Sequence, residues 1–231
     1  MSQPVLNIVA TPIGNLEDIT LRALRIFKEA DVILCEDTRE TRKLLDHYQI
    51  KTATLSYHQH SGILKEEKIF SLLESGKNVA LVTDAGTPGI SDPGSKLVSL
   101  VREKFGPTLI IAAIPGVSAL TSAVSLAGIG FDRFLFLGFL PHKKGRQTML
   151  QEIVASRNSV VVYESKHRIL KLLDELAEHE SVSGQSWSLI VARELTKIHE
   201  SLYSGTINEV RQELISQPTN LKGEFVVLIK K

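Results

Sequence analysis

A single cysteine, Cys35, is all the sequence contains, so no disulfide can close within the chain. That fits a reducing, cytoplasmic compartment. The seven histidines are scattered, and none combines with Cys35 or a carboxylate at metal-site spacing, so no metal is expected. Charge of one sign is also lacking: 27 basic and 26 acidic side chains leave a formal net charge of +1. That balance argues against an open clamp for nucleic acid of any sequence, which carries a marked basic excess. It leaves room for a folded RNA approached through a local basic patch.

Phosphate-cradling patterns are missing too. The loop Thr11-Pro12-Ile13-Gly14-Asn15 follows the first strand, where a dinucleotide fingerprint would lie. It is not G-x-G-x-x-G, and Pro12 removes a backbone donor that a phosphate would use. No G-x-x-x-x-G-K-[ST] occurs either, so nucleotide triphosphate and nicotinamide cofactors are disfavoured. Asn7, Pro12 and Gly14 interrupt any secretory pattern at the N-terminus. From Phe105 to Phe131 there is no charge at all, a length that suggests a membrane span. Pro115-Gly116 breaks that run, and Ser118, Thr121, Ser122 and Ser125 stud its second half. It reads as a buried strand, a turn and a buried helix of small residues, with no membrane partner. No internal repeat or low-complexity segment stands out.

What is present is an alternation. The chain of 231 residues, 43% hydrophobic and 23% charged, is of ordinary globular composition. Predicted strands Val5–Ala10, Val32–Glu36, Ala53–Tyr57, Asn78–Val82 and Leu109–Ile114 alternate with helices Leu21–Ala30, Thr41–His47, Lys65–Glu74 and Ser95–Lys104. Asp18 or Thr20 can cap the first helix. Strand–helix alternation means βαβ units and a mostly parallel sheet. After Pro115 the texture changes. Helices Ala119–Ala127, Gln147–Ala155, His167–Glu178 and Ile207–Ile215 mix with strands Arg133–Phe139, Ser159–Tyr163, Ser188–Ala192, Ser201–Tyr203 and Phe225–Ile229. Val191 to Tyr203 leaves no room for a helical crossover, so the second sheet is expected to be mixed. The reading is α/β, with domains 1–115 and 116–231 and a cofactor cleft between them.

The stretch Val82 to Gly94 is the most specialised. A strand runs into Asp84-Ala85-Gly86-Thr87-Pro88-Gly89-Ile90-Ser91-Asp92-Pro93-Gly94, and a helix leaves it. Glycines permit close approach to a ligand and prolines stiffen the loop. A stiff loop at the carboxyl end of a strand is where an α/β sheet holds ligands. Other strand ends carry special residues as well. Glu36-Asp37-Thr38-Arg39 can act on a hydroxyl, or can simply place acids at a helix start. Ser118 is a natural helix cap. His142-Lys143-Lys144-Gly145-Arg146 is the densest basic cluster, suited to a phosphate backbone or to plain solvation. Tyr163-Glu164-Ser165 precedes Lys166, His167 and Arg168, and Ala192-Arg193-Glu194 ends another strand. Parallel strands gather such ends on one rim, which favours a small cofactor without phosphate.

These motifs, together with Gly138-Phe139-Leu140-Pro141, Leu195-Thr196-Lys197 and Gly223-Glu224-Phe225, resemble the tetrapyrrole methylase superfamily over essentially the whole chain. Within it they are similar to the branch of ribosomal RNA small-subunit methyltransferases I. The resemblance implies two α/β domains and S-adenosylmethionine as cofactor. It also implies a homodimer, and methyl transfer to the ribose 2′-hydroxyl of a cytidine in small-subunit (16S) ribosomal RNA, free or in the assembled subunit. By motif position, Pro12, Asp84, Gly86, Thr87, Ile90, Ser118, Ala119, Phe139, Leu140 and Ala192 would line the cofactor. Glu36, Asp37 and Glu164 are the candidate proton acceptors, while Arg39, Lys144, Arg168 and Arg193 would hold RNA phosphates. Val117 stands where the family commonly has proline, and many members continue past the position of Lys231. The rival readings are C-methylation of a tetrapyrrole such as uroporphyrinogen, and a non-catalytic module that only binds S-adenosylmethionine.

Overall fold

A computed structural model gives the fold and describes residues 4–58, 61–92, 94–128 and 132–230. Pro93 of the central motif, and Phe131 at the end of the uncharged run, lie outside the described residues. The chain divides into two compact units, Met1–Ser118 and Ala119–Lys231.

Unit 1 runs β1 (Val5–Val9), α1 (Leu21–Glu29), β2 (Val32–Cys35), α2 (Thr38–His47), β3 (Ala53–Ser56), α3 (Ile63–Glu74), β4 (Val79–Leu81), α4 (Gly94–Phe105) and β5 (Ile110–Ile114). Its five strands are all parallel, in the order β3-β2-β4-β1-β5. Parallel strands buried on both faces read as unbroken apolar runs, and Val32-Ile33-Leu34-Cys35 is buried throughout. Phe27 of α1 and Leu44 and Leu45 of α2 pack on one face, against Val9, Ile33 and Val82. Ile69 and Leu73 of α3, with Leu97 and Val101 of α4, cover the other, against Leu6, Leu34 and Leu81. Helices of leftward crossovers thus lie on one face and those of rightward crossovers on the other, as right-handed connections require.

Unit 2 runs α5 (Ala119–Leu126), β6 (Phe134–Phe139), α6 (Arg146–Ala155), β7 (Ser159–Ser165), α7 (Ile169–Ser183), β8 (Ser188–Arg193), β9 (Ser201–Thr206), α8 (Ile207–Ser216) and β10 (Glu224–Lys230). The order is β6-β7-β10-β8-β9, parallel between β6 and β7 and antiparallel elsewhere, so the sheet is mixed. Residues 194–200 are too few for a crossover, which forces β9 to run back along β8. β10 sits centrally, with Val227 registered between Val162 and Val191. One core of α6, α7 and α8 side chains closes over it.

Local chemistry sets the ends. Thr20, not Asp18, caps α1 by accepting from the Ala23 amide at 3.1 Å. α2 starts at Thr38 rather than Thr41, because the Asp37 carboxylate caps it on the Arg39 amide. α7 passes Glu178 and stops at Gly184, whose φ of 67° is the left-handed conformation that ends helices. The uncharged run resolves into β5 and α5, but not as the buried pair expected: within them only Ile114 and Ala123 are buried. Among the described residues no helix is long and apolar enough to cross a membrane.

Phe27 is fully buried and anchors α1 to its sheet face. Phe27→Ala should therefore destabilise unit 1 by about 3–5 kcal/mol. Urea unfolding followed by circular dichroism checks this, and a loss below about 1 kcal/mol would show that the α1 face is not a principal support.

Candidate functional site

In unit 1 every strand runs the same way, so all five carboxyl ends, with the loops that follow, share one rim. The loops are tied to each other. Thr11 and Gly86 exchange backbone hydrogen bonds at 2.9 and 3.1 Å, joining the β1 and β4 loops. Thr11 Oγ1 donates to the Thr83 carbonyl at 3.1 Å, and Thr87 Oγ1 donates to the Val117 carbonyl at 3.0 Å. The Asp37 amide donates to Asp84 Oδ1 at 3.0 Å, joining the β2 and β4 loops. Gly86 has φ of 84°, the left-handed conformation that favours glycine, although a Cβ there would only touch Ile13 Cγ2 at 3.4 Å. Asp92 closes the far end of the loop by accepting from the Gly89 and Gly94 amides. At Gly94 a Cβ would sit 2.8 Å from Asp92 Oδ1 and 3.0 Å from the Gly89 nitrogen, which is why glycine stands there. Pro12, Asp84, Gly86, Thr87, Ile90 and Ser118 therefore belong to one connected set of loops.

The rim's carboxylates differ in basicity. Partial burial, then the like charges of Asp84 and Asp92, push Glu36 above the usual range, with His58 opposing. Asp37 goes the other way, to about 2, because the Arg39 side chain and backbone amide hydrogen-bond to it. Arg39 is itself committed to Asp37 at 2.6 Å. Cys35 is buried in β2 and its thiol is pushed up by burial, so it is a packing residue. Sequence reasoning missed Tyr57. It is buried beside Glu36, Thr83 and Asp92 around a small hollow, and its hydroxyl has no partner among the described residues. Its position at a strand end gave no sign of this.

In unit 2, β6, β7 and β8 also point one way, so Phe139–Leu140, Glu164 and Ala192–Arg193 lie on one rim beside the start of β10. Glu164 is fully buried and accepts from the Ser165 amide at 2.7 Å. Arg168 Nε lies 2.9 Å and Arg146 Nη1 3.7 Å from its carboxylate. The same two arginines reach the loop after β6: Arg168 Nη1 donates to the Leu140 carbonyl at 2.6 Å, and Arg146 Nη1 to that of Pro141 at 3.3 Å. Glu175 of α7 pairs with Arg146 at 2.6 Å. Glu164 and Arg168, expected at the chemistry and at RNA, thus serve as an internal brace. Arg146, which looked solvated within its basic run, is the part that the sequence reading missed.

Arg193 is likewise turned inward. It is buried and donates to the carbonyls of Lys222, His199 and Thr219 at 2.7, 2.9 and 2.8 Å, leaving it no free face for a phosphate. Beside it, Glu194 and Thr196 hold φ of 52° and 65°, strained for residues with side chains. Glu194 accepts from the Glu224 amide and from Lys197, and its side chain crosses Gly223 where no Cβ would fit. Lys144 remains exposed. No group of His, Cys, Asp and Glu among the described residues could hold a metal.

The family described as Tetrapyrrole (Corrin/Porphyrin) Methylases matches residues 5–211. Ribosomal RNA small subunit methyltransferase I of Synechocystis sp. is 43% identical over 226 residues, 97% of this chain and 78% of that protein. The Thermotoga maritima protein of the same name is 43% identical over 202 residues, 87% of this chain and 88% of its own. Among solved structures, diphthine synthase superposes with a TM-score of 0.71 at 14% identity, over 98% of this chain and 90% of that one. Cobalt precorrin-4 methyltransferase gives 0.67 at 14%, over 99% and 95%. At such identities the two structures show the fold alone. The family match and the close relatives cover nearly all the elements described above, and the chain belongs to the tetrapyrrole methylase family.

Proposed function

We propose that this chain transfers a methyl group from S-adenosylmethionine to the ribose 2′-hydroxyl of a cytidine in small-subunit ribosomal RNA. In this reading it works in the cytoplasm, as a homodimer, on the RNA or the assembled subunit. The observation that carries the reading is 43% identity, over 97% of the chain, to a ribosomal RNA small subunit methyltransferase I.

The residues of unit 1 fit such a cofactor. Its rim offers Glu36, Asp37, Asp84 and Asp92 together with backbone groups of a glycine-rich loop, and the Arg39 beside them is paired with Asp37. That donor set repels phosphate and suits a cationic ligand with an amino group and a ribose diol. Pro12, Asp84, Gly86, Thr87, Ile90 and Ser118 would hold it on this rim, and by motif position the resemblance adds Ala119, Phe139, Leu140 and Ala192. When bound, the cofactor supplies a methyl group already activated on a sulfonium.

What remains for the protein is to orient the hydroxyl, exclude water and accept a proton. Orientation can contribute up to about 7–11 kcal/mol, against about 10²–10⁴-fold for a general base. Positioning therefore dominates. Among the acids, Glu36 is the best proton acceptor because its raised pKa makes it the stronger base. Asp37, near 2, is too weak a base, and Glu164 is locked between two arginines.

Incubation with labelled S-adenosylmethionine tests the reading. Label should enter RNA of undermethylated small ribosomal subunits and be recovered as 2′-O-methylcytidine; label entering uroporphyrinogen and not RNA would overturn it. Glu36 works as a base only when deprotonated. The single-turnover rate should therefore be full above its raised pKa and fall as pH drops through it. Glu36→Gln should slow the step about 10²-fold and abolish that acid limb. A variant that keeps both rate and limb removes Glu36 from the role.

A further inference from the structure

Three lysines and two histidines of unit 2 crowd into two neighbouring loops. His142, Lys143 and Lys144 lie in the loop between β6 and α6, and Lys166 and His167 in the turn between β7 and α7. All five are exposed. None makes an ion pair among the described residues, whereas Arg146, Arg168, Lys171, Lys197 and Arg211 all do. The two loops are neighbours by construction. β6 and β7 are parallel and adjacent, with Phe139 registered on Tyr163, so both loops leave the same rim. The bond from Arg168 to the Leu140 carbonyl joins them directly. Glu164, at the end of β7 beneath them, is fully buried, with Arg168 2.9 Å and Arg146 3.7 Å from its carboxylate.

We infer that these two loops form one basic surface that docks the phosphate backbone of the RNA substrate, with Arg168 and Glu164 as positioning residues under it. The inference rests on the RNA-methylation reading. In a chain of net charge +1, lysines concentrated on two braced loops, with no carboxylate partner among the described residues, are short of anions. A polyanion supplies several at once and releases its counterions on binding. Lysines are point charges that suit phosphates and leave base recognition to other groups. The surface therefore sets affinity and register, while the choice of nucleotide lies elsewhere.

The test compares wild type with a Lys143→Gln, Lys144→Gln, Lys166→Gln triple variant. Binding to deproteinised small-subunit ribosomal RNA is measured over a range of KCl, and KM is measured separately for RNA and cofactor. The triple variant should lose about two to three from the slope of log affinity against log salt. Its KM for RNA should rise at least about tenfold, with the cofactor KM unchanged within about twofold. Lys28→Gln with Lys68→Gln, two exposed lysines of unit 1, should leave all three values unchanged. Arg168→Lys keeps the charge but removes the bond to Leu140; it should raise the KM for RNA with no change in salt slope. A triple variant with the wild-type slope and RNA KM would overturn the docking surface. Wild type that binds RNA through these lysines yet transfers no methyl would leave the surface standing and overturn the functional reading.

Discussion

Everything on the rim of unit 1 depends on β4 being hydrogen-bonded on both sides. It pairs with β1 through Leu6–Val79 to Ile8–Leu81 and with β2 through Val32–Val79 to Leu34–Leu81. That insertion brings the loop from Thr83 to Gly94 between Thr11 and Asp37, within reach of both. β4 is only Val79–Leu81, too short to hold a register by its own ladder. Apolar burial on both faces supplies the rest, because a one-residue slip would exchange every side chain between faces.

The second unit solves the same positional problem differently. Its loops are held by charge, with Glu164, Arg146, Arg168 and Glu175 tied to one another and to two backbone carbonyls. Burying such a group costs desolvation that mutual attraction only about offsets, and removing one partner typically costs about 3–5 kcal/mol. Its gain lies in geometry. Guanidinium groups with several donors can fix two loop carbonyls and a carboxylate together, which apolar contacts cannot do with the same directionality. Unit 1 uses backbone and carboxylate turns where unit 2 uses arginines, and the sign of charge left exposed differs accordingly.

The order of strands and helices was legible because apolar runs and turn residues punctuate it from Val5 to Ile229. A mostly parallel first sheet followed from strand–helix alternation and a mixed second from one short connection, but the place of β4 did not, since pairing order depends on which faces meet. The loop from Asp84 to Gly94 could be read as specialised from its glycines and prolines. The roles of Glu164, Arg168 and Arg193 could not, because a charged residue beside a strand end looks the same in sequence whether it faces solvent or is braced inside. Arg146 and Glu175 are an ion pair separated by 29 positions, a partnership that only the fold reveals. Tyr57 was hidden for the same reason: burial of a hydroxyl is not written in its neighbours.

An acidic, glycine-rich rim that accepts a cationic donor without phosphate underlies the proposed activity. Titration calorimetry of the whole chain with S-adenosylmethionine and, separately, with ATP reads that preference directly. Saturable heat is expected with the first and none with the second. Binding of ATP with no response to S-adenosylmethionine would contradict this expectation.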